Sequence, residues 1–339
     1  MLDKYGADTL RFTLTALLNP GRDVKLSENR VKGYKSFTNK IWNASNFLLI
    51  NNCKIENDFN PFDVKLPINQ WLINELASTN QNISKYMSKY LFHEVANEIY
   101  HFIWDVYCNW YVEFAKSLFQ ANESISKETK SVSMWAFKEI LKLSHPTMPF
   151  ITEKLWSKHF NTNDFLMNEI ITEMKIQKNF NLSQSNFKRL IDIIISIRNL
   201  RSELNIPYKN LIKLNINNND NIFILFLNSF KNEIIRLLKL EDLSFNNEDY
   251  KSKGSANIIF SSSTLIIPLK GVIDTKNEIQ KLLKRKIQES DDLKKLLLKL
   301  ENPNFINKAP KDVVTQFKKQ AEKINSSIVK IDQIINTIK

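Results

Sequence analysis

Glycine is nearly missing from this sequence: five in 339 residues, at Gly6, Gly21, Gly33, Gly254 and Gly271. So scattered, they cannot build a loop of backbone N–H groups that cradles phosphate, which excludes a glycine-loop nucleotide-binding core. Cysteine is scarcer still. Cys53 and Cys108 are too few for a disulfide framework or a cysteine-rich zinc site, and a reducing, cytoplasmic setting is expected. No apolar run approaches the roughly 20 residues that span a bilayer, so no membrane partner is expected. The opening residues lack the pattern of a signal peptide. Only four histidines occur. His93 and His101 lack a third ligand at metal-site spacing, and His145 and His159 lack a serine or cysteine partner. Glu94 and Glu98 form an i,i+4 pair of the kind that coats solvated helices. The expectation is a chain with no catalytic residue, no metal ligand and no cofactor of its own.

What is abundant is positive charge. The formal net charge is +12, which favours a polyanionic partner. The length allows two or three domains, and the patterning divides the chain into three.

Residues 1–170 read as a helical bundle, with amphipathic runs near Asp8–Leu18, Gln70–Tyr90, Leu91–Asn122, Lys130–Leu143 and Ile151–His159. Aromatics recur through it at core spacing: Trp71, Tyr100, Trp104, Tyr107, Trp110, Trp135 and Trp156. Residues 171–271 read as a small α+β domain. Its pattern predicts helices over Phe187–Leu204 and Ile222–Leu240, a strand over Leu211–Ile216, and a hairpin from Ala256–Ser261 and Thr264–Leu269. Residues 272–339 read as an antiparallel coiled-coil hairpin. The fold class is mainly α.

One further bundle helix, capped at Ser27 and running to Asn51, carries a ring on the wrong face. At 3.6 residues per turn, Val31, Tyr34, Phe37, Ile41, Trp42, Leu48 and Leu49 share one broad apolar side. Lys32, Ser36, Asn39, Lys40 and Asn43 share the other, and Phe47 falls among them. A ring beside lysine and asparagine suits unstacked nucleic-acid bases, since rings stack on bases while lysine and asparagine hold phosphate and base edges. Packing beneath a neighbouring helix is the alternative use of such a ring.

The C-terminal stretch has the clearest periodicity. Val314, Phe317, Ala321, Ile324, Ile328, Ile331, Ile335 and Ile338 alternate steps of three and four, an a/d seam. Val272, Ile279, Leu283, Leu293, Leu297 and Leu300 fit a second seam, interrupted by Lys276, Lys286 and Ser290. The run from Glu301 to Pro310 turns the chain between them. Residues 272–339 hold 15 Lys/Arg against 9 Asp/Glu, a net +6 and half the chain's total. Half the charge in a fifth of the length points to a phosphate-contacting arm, with Lys284, Arg285, Lys286, Lys308, Lys318 and Lys319 as its cations. These are charges without interleaved aromatics, suited to gripping backbone rather than reading bases.

Several motifs, in order along the chain, resemble the valyl-tRNA synthetase family. They are Lys4-Tyr-Gly-Ala-Asp-Thr-Leu-Arg-Phe-Thr13, Pro20-Gly-Arg-Asp-Val-Lys25, Asn39-Lys-Ile-Trp-Asn-Ala44 and His145-Pro-Thr-Met-Pro-Phe-Ile-Thr-Glu153. Arg198-Asn-Leu-Arg-Ser-Glu203 with Pro207, and Asn302-Pro-Asn-Phe-Ile-Asn-Lys-Ala-Pro310 with Val313-Val314, complete the set. The resemblance covers only the region C-terminal to the catalytic domain in that family. Tyr86-Met-Ser-Lys-Tyr90 echoes the signature loop of class I synthetases, but it lies inside a helical pattern and is taken as coincidence. The resemblance implies an anticodon-binding bundle, a linking domain and a tRNA-binding arm, with catalytic and editing domains expected before residue 1. It also implies that the chain alone is inactive and that ATP and Mg serve only the full-length ligase. The expected partners are valine-type tRNA and the catalytic half, with no DNA, and the expected state is a monomer. In that family the matching helix faces the anticodon, which assigns Lys40 and Phe47 to it. Asn43 joins them on geometry alone, and Arg30 comes after them as the lowest-ranked candidate. The competing expectation is a free-standing RNA-binding or scaffold protein derived from such an enzyme.

Overall fold

A computed structural model describes residues 1–18, 21, 23, 25–160, 164–247, 255–260, 262–269, 275–301 and 311–338, with side chains described for part of the last two segments. It contains two compact units, Met1–Ile191 and Asp192–Lys339.

The first unit is helical. It comprises α1 (Leu2–Tyr5), α2 (Ala7–Leu17), α3 (Glu28–Ile50), α4 (Pro67–Met87), α5 (Phe92–His101), a π-helical segment (Phe102–Tyr111), α6 (Val112–Leu118), α7 (Glu123–Ser144) and α8 (Pro149–Phe160), followed by the start of α9 (Asn181–Glu203). Helix starts are tied to other helices. Glu128 of α7 accepts the backbone N–H groups of Lys65 and Leu66 at 3.1 and 2.9 Å, ahead of Pro67 at the first turn of α4. Asp8 of α2 accepts from Ile151 N at 2.6 Å and Phe150 N at 3.4 Å, so one carboxylate caps α8 across 143 residues of sequence. Ser27 holds the extended cap position of α3 but makes no side-chain cap bond.

The core is aromatic where α4, the π segment and α7 meet. Tyr111 Oη lies 2.9 Å from Asn69 Oδ1 and 3.1 Å from Ser133 Oγ, and Tyr107 Oη donates to Ser133 O at 2.9 Å. Complete burial pushes both phenols well above their ordinary range, so they stay neutral donors. The span expected as one α-helix over Leu91–Asn122 is therefore corrected in its middle. Phe102 with Tyr107, and Ile103 with Cys108, stand five apart and are all buried. A wider π turn brings residues five apart to one face, whereas an α turn does not.

Residues 172–177 form an extended strap read by amide side chains of α4. Asn80 donates to Thr172 O at 3.1 Å and accepts from Met174 N at 3.1 Å. Asn74 makes the same reciprocal pair with Gln177, and Gln81 donates to Met174 O at 2.9 Å. Trp71 then stacks on Phe187 at 5.2 Å, fastening the start of α9 to the same unit.

The second unit pairs a mixed sheet with helices. Its elements are β1 (Ile212–Asn218), α10 (Asn221–Ser229), α11 (Lys231–Leu238), β2 (Leu240–Phe245), β3 (Ser255–Phe260), β4 (Ser263–Pro268), α12 (Thr275–Glu301) and α13 (Lys311–Ile338). The sheet order is β2-β1-β4-β3, with β1 and β2 parallel and the others antiparallel. The hairpin forms as expected. The single helix expected over Ile222–Leu240 does not: it breaks at Phe230, ends at Lys239 in the left-handed region (φ 52°), and Leu240 opens a strand. Arg201 is buried and donates to the carbonyls of Leu238, Pro207 and Asn210 at 2.7–2.9 Å. The motif Arg198–Glu203 with Pro207 thus closes a turn around one guanidinium.

Helices α12 and α13 pack together and run antiparallel, since Lys286 meets Asp332 at 2.5 Å while Lys299 lies 5.8 Å from the Phe317 ring. Ala321, Ile331 and Ile335 are buried, as their seam predicts. The partner seam is corrected: Leu283 and Leu297 are exposed, while Lys286, Glu289, Leu293, Leu296 and Leu300 are sheltered, again in steps of three and four. The turn expected over Glu301–Pro310 lies outside the described residues from Asn302 onward.

Replacing Asp8 with Ala leaves Ile151 N–H without its acceptor and removes an ion pair with Arg11 (3.0 Å). The expected loss is about 1–3 kcal/mol of unfolding free energy, read from urea melts, and an unchanged midpoint refutes the cap's role.

Candidate nucleic-acid interface

Helix α3 buries Val31, Phe37, Ile41, Ala44, Ser45 and Leu48, and exposes Arg30, Lys32, Ser36, Asn39 and Asn43. The expected apolar stripe is narrower than its sequence pattern, because Trp42 and Leu49 are 37% and 36% exposed. Trp42 lies at the surface under the Lys158 ammonium, 5.1 Å from its ring centre, and Lys158 also donates to Asn46 Oδ1 at 2.9 Å.

Lys40 and Phe47 both lean on the chain of helices formed by α5, the π segment and α6. Lys40 is half-buried; its Nζ donates to Asn109 Oδ1 at 3.2 Å and sits 5.2 Å from the Trp104 ring. Trp104 in turn stacks on Tyr100 at 5.7 Å with an 8° interplanar angle. Phe47 is half-buried against Phe119 at 5.8 Å, with Lys116 Nζ 5.9 Å from its ring. The ring is thus neither free nor entombed: one side packs and a cation borders it. Asn43, between these two positions, is exposed. The helical wheel of α3 could not supply Trp104, Asn109, Lys116 and Phe119. Trp104 and Asn109 are five apart, a spacing that shares a face only in a π turn.

Helix α3 is held in place by α8. His159 Nε2 and Ser45 Oγ are 2.6 Å apart, and His159 also packs edge-on against Phe137. Burial, with the Lys158 charge beside it, depresses its imidazole to about 4, so the ring is neutral at physiological pH.

Of the expected arm cations, Lys284, Lys318 and Lys319 are exposed on α12 and α13. Lys286 is engaged with Asp332 in the helix–helix contact. Arg285 lies on α12 with its side chain outside the described residues, as is Lys308 altogether.

Each of the other three histidines has a partner close by in sequence. His101 pairs with Asp105 at 2.9 Å, His145 with Thr152 at 2.8 Å, and His93 with Glu94 at 3.3 Å. Among the described residues no group of three His, Cys, Asp or Glu side chains could hold a metal ion. Burial pushes the thiols of Cys53 and Cys108 up to about 12, which leaves them unreactive.

The His159 geometry predicts a pH effect. Between about pH 6.5 and about 4 the unfolded chain binds a proton at this ring that the folded chain refuses, so stability is lost as pH is lowered through that window. His159→Gln is expected to shrink the drop in melting temperature between about pH 6.5 and about pH 4.5. An equal drop in both proteins excludes the neutral-imidazole arrangement.

Residues 69–216 match the family described as the anticodon-binding domain of tRNA ligase, and residues 274–339 match the valyl-tRNA synthetase tRNA-binding arm. The chain is 32% identical to valine–tRNA ligase of Nitrobacter winogradskyi, with 100% of this chain and 38% of that protein covered. It is 35% identical to the Pelagibacter ubique ligase (98% and 38%) and 34% to that of Bartonella henselae (93% and 35%). The chain therefore spans less than two-fifths of the length of these relatives. With both tRNA-binding domains matched and the similarity running along nearly all of its residues, the chain belongs to the valyl-tRNA synthetase family, matching the C-terminal part of its valine–tRNA ligases.

Proposed function

We propose that this chain is the tRNA-gripping part of a valine–tRNA ligase, holding valine-type tRNA while a catalytic part attaches valine at the expense of ATP. The observation that carries this reading is that one chain contains both matched domains, the anticodon-binding bundle and the tRNA-binding arm. In this reading ATP and Mg serve the catalytic part of the ligase, and the five scattered glycines of this chain build no phosphate-cradling loop. No helix among the described residues is long and apolar enough to cross a membrane, and the functional setting is the cytoplasm, with the chain acting as a monomer.

The division of labour runs over residues 1–170, 171–271 and 272–339. In the first, Phe47 offers its open side to an anticodon base. Lys40 turns from Asn109 and Trp104 toward phosphate or a base edge, and Asn43 and Arg30 supply exposed donors. The second links. The third is an antiparallel coiled coil whose exposed lysines grip the backbone at the outer corner of the tRNA, where charge suffices without base reading.

Two measurements test this. Phe47→Ala is expected to weaken binding of a valine-type anticodon stem-loop by about 1–3 kcal/mol. The ring also packs on Phe119, so some stability falls away as well; a lower melting temperature with unchanged affinity would make Phe47 a packing residue only. Changing Lys284, Lys318 and Lys319 together to glutamine should reduce the steepness of the salt dependence of tRNA binding by about 0.7–0.9 for each phosphate no longer neutralised. An unchanged slope would place the backbone contacts elsewhere.

A further inference from the structure

One buried guanidinium in the second unit shapes a small surface of its own. Arg201 of α9 donates to Leu238 O at 2.9 Å, and to Pro207 O, Tyr208 O and Asn210 O at 2.9, 3.3 and 2.7 Å. Asn210 N–H closes the same turn on Pro207 O at 2.9 Å. A single anchor therefore fixes two backbone stretches. One is the turn that carries Tyr208 and Lys209; the other is the junction of α11 with β2, which carries Lys239.

These stretches hold a ring outward among cations. Tyr208 is 59% exposed, and Lys209 and Lys239 are exposed as well. The Lys239 ammonium lies 5.9 Å from the centre of the Tyr208 ring, and the Arg201 guanidinium carbon 5.7 Å from it. Lys239 keeps this place in the left-handed region (φ 52°), which long side chains seldom occupy and which persists only where the surroundings hold it. Ring and ammonium are thus set in position before any ligand arrives, and little freedom is left to lose on binding.

The two kinds of group choose the ligand between them. An apolar polypeptide segment seated on the ring would have to cover the Lys239 ammonium, and burying an unpaired charge is costly. A nucleotide satisfies both, because its base offers a π-face to the ring and its phosphate a charge to the lysine. Stacking tolerates any base and a lysine is a point charge, so such a contact grips RNA without reading it. Lys239 lies between the matched regions 69–216 and 274–339, so neither match assigns it a role.

We propose that Tyr208, Lys209 and Lys239 form a further RNA contact on the middle domain: the Tyr208 ring stacks on an unstacked base of the bound tRNA, and the two lysines take adjoining phosphates. This rests on the reading of the chain as a tRNA-gripping part, and it makes the middle domain a grip as well as a link.

Binding of the 339-residue chain to a valine-type tRNA and to a tRNA for another amino acid tests it. Tyr208→Ala is expected to weaken both by at least about fivefold, whereas Tyr208→Phe, which keeps the ring, binds as the parent chain does. Lys209→Gln combined with Lys239→Asn uses a residue that tolerates left-handed backbone. That double variant is expected to reduce the steepness of the salt dependence by about 0.7–0.9 for each phosphate no longer neutralised. Should Tyr208→Ala lower the melting temperature, the double variant decides, since it alters only exposed side chains. Parent-like affinity and salt slope in these variants overturn the proposal; if the parent chain still prefers the valine-type tRNA, the functional reading stands without it. Equal binding of the two tRNAs by the parent chain, weakened by the same variants, keeps the contact and counts against the functional reading. Failure of Tyr208→Phe to bind as the parent does overturns the stacking assignment. Self-association lost in the variants, with RNA binding unchanged, overturns the proposal in favour of a protein contact.

Discussion

The buried carboxylate of Asp8 is the constraint on which the helical unit turns. A carboxylate with little water around it must be paired, and here its partners are the first backbone N–H groups of α8 and the Arg11 guanidinium. That sets where α8 begins. The far end of α8 then carries His159 to Ser45, which sets how α3 presents its polar face. Two of the sequence motifs, one around Asp8 and one spanning His145–Glu153, are halves of one interaction. Their separation in sequence hides this; their hydrogen bonds display it.

The face that α3 presents owes its texture to the π segment. A widened helix costs hydrogen-bond quality, and it persists here because Phe102, Ile103, Tyr107 and Cys108 all reach the core through it. The same widening brings Trp104 and Asn109 together under Lys40. A lysine held over a ring and against an amide keeps its charge near the surface with little freedom left to lose on binding. Phe47, bordered by Lys116, repeats the pairing of ring and cation one step along the face.

In the second unit, charge is used in two ways. Arg201 is turned inward, satisfying carbonyls that the turn after α9 would otherwise leave buried and unpaired. The lysines of α12 and α13 are mostly left outward, but Lys286 is drawn into the contact with Asp332. A half-exposed ion pair at the edge of the seam adds little stability, yet it fixes which residues of the two helices face one another.

Much of this was legible in the residues themselves. The α13 seam, the bundle helices, the β3–β4 hairpin and the polar side of α3 arise from local periodicity, because hydrophobic spacing and backbone geometry share one period. Net charge and its concentration after residue 272 likewise needed no structure. Strand β2 was not legible: Leu240-Glu-Asp-Leu243 has helical spacing, and only its parallel pairing with the distant β1 makes it a strand. The exposure of Trp42, the true seam of α12 and the partners of Lys40 were equally hidden. Each depends on what a neighbouring element offers across space, and a periodic pattern names the face of a helix without naming what lies against it. The sequence by itself determined the helical architecture, the cationic character and the face on which Lys40 and Phe47 sit. Tertiary structure alone decided that this face leans on Trp104, Asn109 and Phe119, because those contacts join residues from separate helices and one of the helices changes its own period to reach them.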